Sequence, residues 1–99
     1  MPHATIGTIS HGTLRIQDLV PAFLDEARRL DAPHVPEIVK DIPLSAIVDD
    51  RDPYWDTEDA FWQLEALFDS LSDVAPRGCY FGAHVGDGSD FGFWPGEEN

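Results

Sequence analysis

Cysteine is almost absent from this sequence: Cys79 stands alone among 99 residues. That excludes an intrachain disulfide framework and any multi-cysteine zinc site, and it fits a reducing cytoplasm. Long apolar runs are absent too. No stretch approaches the roughly 20 residues that span a bilayer, and the start "MPHATIGTIS" has neither a basic leader nor an apolar secretory segment. Catalytic signatures are also missing. There is no G-x-S-x-G elbow, no G-x-x-x-x-G-K-[ST] phosphate loop and no closely paired zinc-ligand spacing. The expectation is therefore a cytoplasmic protein that is not an enzyme, with no catalytic residue, cofactor or metal ligand assigned and no membrane partner.

Basic residues are the other scarcity. Six lysines and arginines stand against 19 acids, for a net charge of −13. Such a chain is repelled by nucleic acid and anionic membranes and attracted to basic surfaces. The imbalance is concentrated. Residues 41–73 hold ten acids and only Arg51, whereas residues 1–40 are nearly neutral. The stretch "DDRDPYWDTED" (49–59) alone carries six carboxylates around Tyr54 and Trp55.

What is present is enough for one folded domain over residues 1–99: 42% apolar residues, with six Phe, three Trp and two Tyr. "ATIGTIS" (4–10) reads as a short strand and "HGT" as a turn. From about Arg15 to Leu30 the apolar spacing is helical, with Pro21 accommodated in the first turn. "PEIVKDI" (36–42) reads as a short helix ended by Pro43, while "PLSAIVDD" is ambiguous. The clearest element is a helix over 57–73, capped by Asp56 or Thr57. At about 100° per residue, Ala60, Phe61, Leu64, Leu67, Phe68 and Leu71 form its core arc. Glu58, Glu65, Asp69 and Asp73 lie opposite, and Trp62 falls among them.

The tail "CYFGAHVGDGSDFGFWP" reads as a β-hairpin of runs 79–84 and 90–95 about a "VGDGS" turn. Cys79, Phe81, Ala83, Phe91 and Phe93 would share one face, with Tyr80, Gly82, His84, Gly92 and Trp94 on the other. Gly82 and Gly92 leave room for an aromatic ring across the strands. The fold class expected is α+β: a small antiparallel sheet, made of the N-terminal strand and the C-terminal hairpin, packed against two main helices.

Three chemical readings compete. Asp87 and Asp90, with His84, offer oxygen and nitrogen donors, but a Gly/Asp turn explains the pattern and the EF-hand spacing is missing. His3, His11, His34 and His84 are scattered, and Ser10 and His11, as neighbours on a strand, point apart. The acidic third is the strongest feature, because it is uncompensated and surrounds Tyr54, Trp55 and Trp62, residue types that anchor interfaces.

"ISHGTLRIQDLVPAFLDE" (9–26) and "GCYFGAHVGDGSDFGFWP" (78–95) resemble segments of short bacteriophage and mobile-element proteins. In size and acidity the chain is similar to anti-CRISPR and anti-restriction DNA mimics. The resemblance implies a small accessory protein in an infected bacterium, an inhibitor of host defence. The expected partner is a basic protein surface such as a CRISPR effector or restriction complex, with no nucleic acid bound directly, and the state is monomer or homodimer. The expected contact residues are Asp49, Asp50, Asp52, Tyr54, Trp55, Asp56, Glu58, Asp59, Trp62, Glu65, Asp69 and Asp73. The alternative is an adaptor whose aromatic hairpin face (Tyr80, His84, Trp94) makes the contact while the acids only solubilise.

Overall fold

A computed structural model describes residues 4–96; His3 lies outside them. Along the chain run β1 (Gly7–Ser10), α1 (Ile16–Arg29), α2 (Val35–Val39), α3 (Leu44–Val48), a 3₁₀ turn (Pro53–Asp56), α4 (Glu58–Asp73), β2 (Cys79–His84) and β3 (Asp87–Pro95). The strands form one antiparallel sheet in the order β1-β3-β2, and the fold class is α+β as the sequence pattern implies. No helix among the described residues is long and apolar enough to cross a membrane.

Alternation along the hairpin decides how the sheet meets the helices. Phe81 pairs with Phe93 and Ala83 with Phe91, so one face carries the phenylalanines. Phe23 of α1 sets its ring edge-on to Phe81 at 5.0 Å and Phe91 at 5.6 Å, and meets Phe68 of α4 at 6.3 Å. Phe68 is also 5.0 Å from Phe81. Phe23, Phe93, Leu67 and Leu71 are fully buried around this cluster.

Several expectations are corrected. The hairpin turn is Val85–Gly86 alone, with His84 paired to Asp87, so β3 starts three residues earlier than "VGDGS" suggests. Gly92 is not a seat for an aromatic ring. β1 takes that space: a Cβ at Gly92 would collide with the Gly7 carbonyl oxygen. Gly82 does lie against the Tyr80 ring, 3.4 Å from where its Cβ would stand. Pro21 sits inside α1, beyond the first turn, because the helix begins at Ile16. Its exposed position puts the interrupted backbone bond on the outer side of the helix. The ambiguous "PLSAIVDD" resolves into α3 and the loop that follows it.

In α4, Thr57 is the cap and its hydroxyl accepts from the Ala60 N–H at 3.3 Å. Ala60, Leu67 and Leu71 are buried and Leu64 and Phe68 are partly so, as the spacing requires. Phe61 is the exception, 44% exposed instead of in the core. The buried stripe is rotated towards Ser70, whose hydroxyl donates to the Pro33 carbonyl at 2.5 Å. That leaves Phe61 at its outer margin, two turns before Phe68 and without the sheet contacts that Phe68 makes.

The close approach of β1 makes Gly92 a sharp test of the packing. Gly92→Ala is expected to cost about 1–3 kcal/mol by overpacking. Gly88→Ala, at a position open to solvent with nothing within 4 Å, should stay within about 0.5 kcal/mol of the parent. Urea unfolding of the two variants checks both.

Candidate functional site

The fold turns one face of α4 outward. Glu58, Phe61, Trp62, Glu65, Asp69 and Asp73 are all exposed, and Trp62 retains 59% of its accessible surface. Glu58 and Glu65 stand at i−4 and i+3 from Trp62, so carboxylates flank the indole on both sides. Phe61 joins Trp62 edge-to-face at 5.3 Å, which makes a two-ring knob rather than a single anchor. Among the described residues none of Glu58, Asp59, Glu65, Asp69 and Asp73 forms an ion pair. Glu65, Asp69 and Asp73 repeat at four-residue spacing, about 5–6 Å apart, and each like-charged pair costs a helix about 0.2–0.5 kcal/mol.

The preceding loop is put together differently from what its composition suggests. Asp52 caps the 3₁₀ turn through Tyr54 N–H at 2.9 Å. Asp49 accepts from Arg51 N–H at 2.9 Å, and Asp50 lies 3.4 Å from the Arg15 guanidinium. Asp49 and Asp52 thus hold local turns, and Asp50 meets Arg15 across 35 positions. Asp56 and Asp59 remain exposed.

Trp55 was expected to face a partner; the structure places it in the core, 4% exposed. Its ring joins the apolar core, and its indole N–H is satisfied there by the carbonyls of Ala46 (3.1 Å) and Asp49 (3.2 Å), which staples α3 to the 3₁₀ turn. Tyr54 packs edge-on to Trp55 at 5.3 Å and is half-buried. Its hydroxyl is enclosed without a hydrogen-bond partner among the described residues. Burial, with Asp59 and Asp41 nearby, raises its pKa above the usual phenol value. Of the three aromatics expected at the interface, only Trp62 is freely offered. Phe61 was missed, because periodicity assigns it to the core arc. Beside the acidic loop, α3 also exposes Leu44, Ile47 and Val48.

On the hairpin, the polar atoms of the second candidate face are already engaged. Trp94 N–H donates to the Gly82 carbonyl at 2.9 Å and Tyr80 O–H to the Ala83 carbonyl at 3.0 Å. His84 accepts from the Gly86 N–H at 2.9 Å and stacks edge-on to Trp94 at 4.7 Å. His84 thus closes the hairpin from the last position of β2, and the imidazole that approaches Asp87 is that of His11.

Two expectations separate the tryptophans and test the tyrosine. Trp62→Ala should change unfolding free energy by no more than about 0.5 kcal/mol, whereas Trp55→Ala should cost about 3–5 kcal/mol; chemical denaturation distinguishes them. Tyr54 should ionise above the ordinary phenol range in an ultraviolet titration. The raised folded value means that its contribution to stability is full below the unfolded phenol pKa, about 10. That contribution is lost as pH rises through the folded value, and Tyr54→Phe should remove this pH dependence. No family model, curated protein or solved structure matches the chain, so the case for a function rests on the α4 face and its surroundings.

Proposed function

We propose that this protein is an acidic inhibitor that occupies a basic nucleic-acid-binding surface of a host defence complex, in the manner of a DNA mimic. The observation that carries the reading is the exposed, unpaired row Glu58, Glu65, Asp69 and Asp73 with Trp62 standing in its midst. A face that only keeps a protein soluble has little use for an exposed indole with a phenyl ring against it.

Magnitudes favour a docking surface that includes the loop. α4 has 16 residues and is about 24 Å long. It carries five acids, or one per roughly 5 Å, against about 3.4 Å per charge on one strand of duplex DNA. The helix alone is therefore sparser than a phosphate strand. Asp49, Asp50, Asp52 and Asp56 on the adjoining loop raise the density, although the first three also make contacts within the chain. Steering by opposite charge makes such binding fast and salt-sensitive. Trp62 and Phe61 supply the desolvated centre that charge alone does not.

A second reading, an adaptor using Tyr80, His84 and Trp94, is favoured by one observation: these three residues keep partial exposure on a single sheet face. Their polar atoms are satisfied internally, so contact there would be apolar and insensitive to salt.

The two readings part in one experiment. The chain is immobilised and bacterial lysate is passed over it at about 50 and 500 mM salt, with duplex DNA as competitor and mass spectrometry of what is retained. Under the mimic reading the retained proteins are nucleic-acid binders, released by salt and by DNA. They are lost when Glu65, Asp69 and Asp73 are changed to their amides and when Trp62→Ala is made. Retention unchanged by the triple amide variant, with circular dichroism showing an intact fold, defeats mimicry. Retention lost only on Trp94→Ala, at either salt concentration, favours the adaptor.

A further inference from the structure

Sheet irregularities bring three donor side chains together at the hairpin end of the molecule. β3 pairs with β2 as His84–Asp87 and then Ala83–Phe91, so Gly88, Ser89 and Asp90 have no partner on β2. β1 is irregular at the same level, skipping a residue between Thr8 and Ser10. Gly12 N–H then donates to the Ser89 carbonyl at 3.2 Å, which draws the loop after β1 onto the bulge. Bulges re-aim side chains, and here the outcome is a cluster. One donor atom each from His11, Asp87 and Asp90 lies within 4.8 Å of the others.

We propose that His11, Asp87 and Asp90 form a binding site for one divalent transition-metal ion. The His11 Nε2 to Asp87 Oδ2 distance is 3.0 Å. Metal–ligand bonds of about 2.0–2.2 Å place adjacent ligands roughly 3.0–3.5 Å apart. Each carboxylate is anchored through one oxygen, which leaves Asp87 Oδ2 facing His11 and Asp90 Oδ2 without a hydrogen bond among the described residues. Asp87 Oδ1 accepts from Ser89 N–H (3.0 Å) and Ser89 O–H (2.9 Å), and Asp90 Oδ1 accepts from Thr8 O–H at 2.7 Å. Outer-shell bonds of this kind orient metal ligands.

Two carboxylates this close repel, and a cation between them removes the repulsion. The imidazole nitrogen selects zinc, cobalt or nickel over calcium and magnesium, which favour all-oxygen sites. The cluster is open to solvent, and water would complete the coordination. Neither Trp62 nor the α4 acids belong to it, so the proposal does not depend on the partner reading.

The test is calorimetric titration and thermal shift of the untagged chain with Zn²⁺, Co²⁺ and Ca²⁺. The parent should bind one Zn²⁺ or Co²⁺ saturably, with a rise in Tm, and bind Ca²⁺ far less. His11→Ala removes no carboxylate, yet should weaken Zn²⁺ binding about tenfold or more, as should Asp90→Asn; Thr8→Val should weaken it by a similar factor through the outer shell. Asp69→Asn should leave it unchanged. In case a variant fails to fold, paramagnetic Co²⁺ added to the parent should perturb the His11 ring resonances before those of the other histidines. No saturable Zn²⁺ or Co²⁺ binding overturns the site, as does binding indifferent to His11→Ala in a folded variant. So does perturbation of another histidine first.

Discussion

The contact between Phe23, Phe68, Phe81 and Phe91 governs the rest of the molecule. One ring comes from α1, one from α4 and two from the hairpin, and their edge-to-face spacings run from 5.0 to 6.5 Å. Each such pair adds about 0.5–1.5 kcal/mol beyond its buried area, a sizeable share for a domain whose total stability is typically about 5–15 kcal/mol. The cluster also fixes an angle. With Phe68 held against the sheet, and Ser70 tied to the Pro33 carbonyl, α4 cannot roll about its axis. The opposite meridian, with Glu65, Asp69, Asp73 and Trp62, is then committed to the outside.

The same geometry explains what the sequence made legible. Three-and-four spacing located α1 and α4 nearly to the residue, and two-residue alternation sorted the hairpin faces correctly, because both patterns arise from the burial of one side of an element. Phe61 shows where that logic stops. Periodicity assigns a residue to a meridian and says nothing of how far along the helix its neighbours extend. Trp55 shows a second limit. Its ring enters the core, and its N–H is satisfied by two carbonyls in α3 and the loop after it, a region with no clear period of its own. His11 shows a third. It reaches Asp87 across 76 positions only because β1 and β3 are both irregular at one level, and no local pattern announces a paired irregularity.

Charge on the α4 face is held against its own repulsion. Glu65, Asp69 and Asp73 form two like-charged four-residue pairs, and no lysine or arginine lies in the helix to relieve them. Elsewhere three of the six lysines and arginines lie beside acids: Arg15 near Asp18 and Asp50, Arg29 near Glu26 and Arg51 near Asp49. Pairing is therefore available to this chain, and it is used near the loop and on α1 but not on α4. A solubilising coat has no need for that division, since exposed pairs and exposed single charges are both well hydrated.

Trp62 sharpens the chemistry that such a face would select under the proposed reading. The face of an indole carries negative electrostatic potential and attracts cations, by about 0.5–1 kcal/mol at exposed sites and more when water is excluded. Carboxylates at i−4 and i+3 act with the same sign on the same approaching group. A lysine ammonium satisfies the charge but is strongly hydrated and has no plane to stack. An arginine guanidinium is more weakly hydrated, stacks on the ring and at the same time donates a two-pronged hydrogen bond to a neighbouring carboxylate. Surfaces that grip phosphate strands are rich in arginine for the same bidentate reason. Indole and carboxylates together thus favour the residue type that nucleic-acid-binding surfaces present, whereas a carboxylate row without Trp62 would discriminate far less between arginine and lysine.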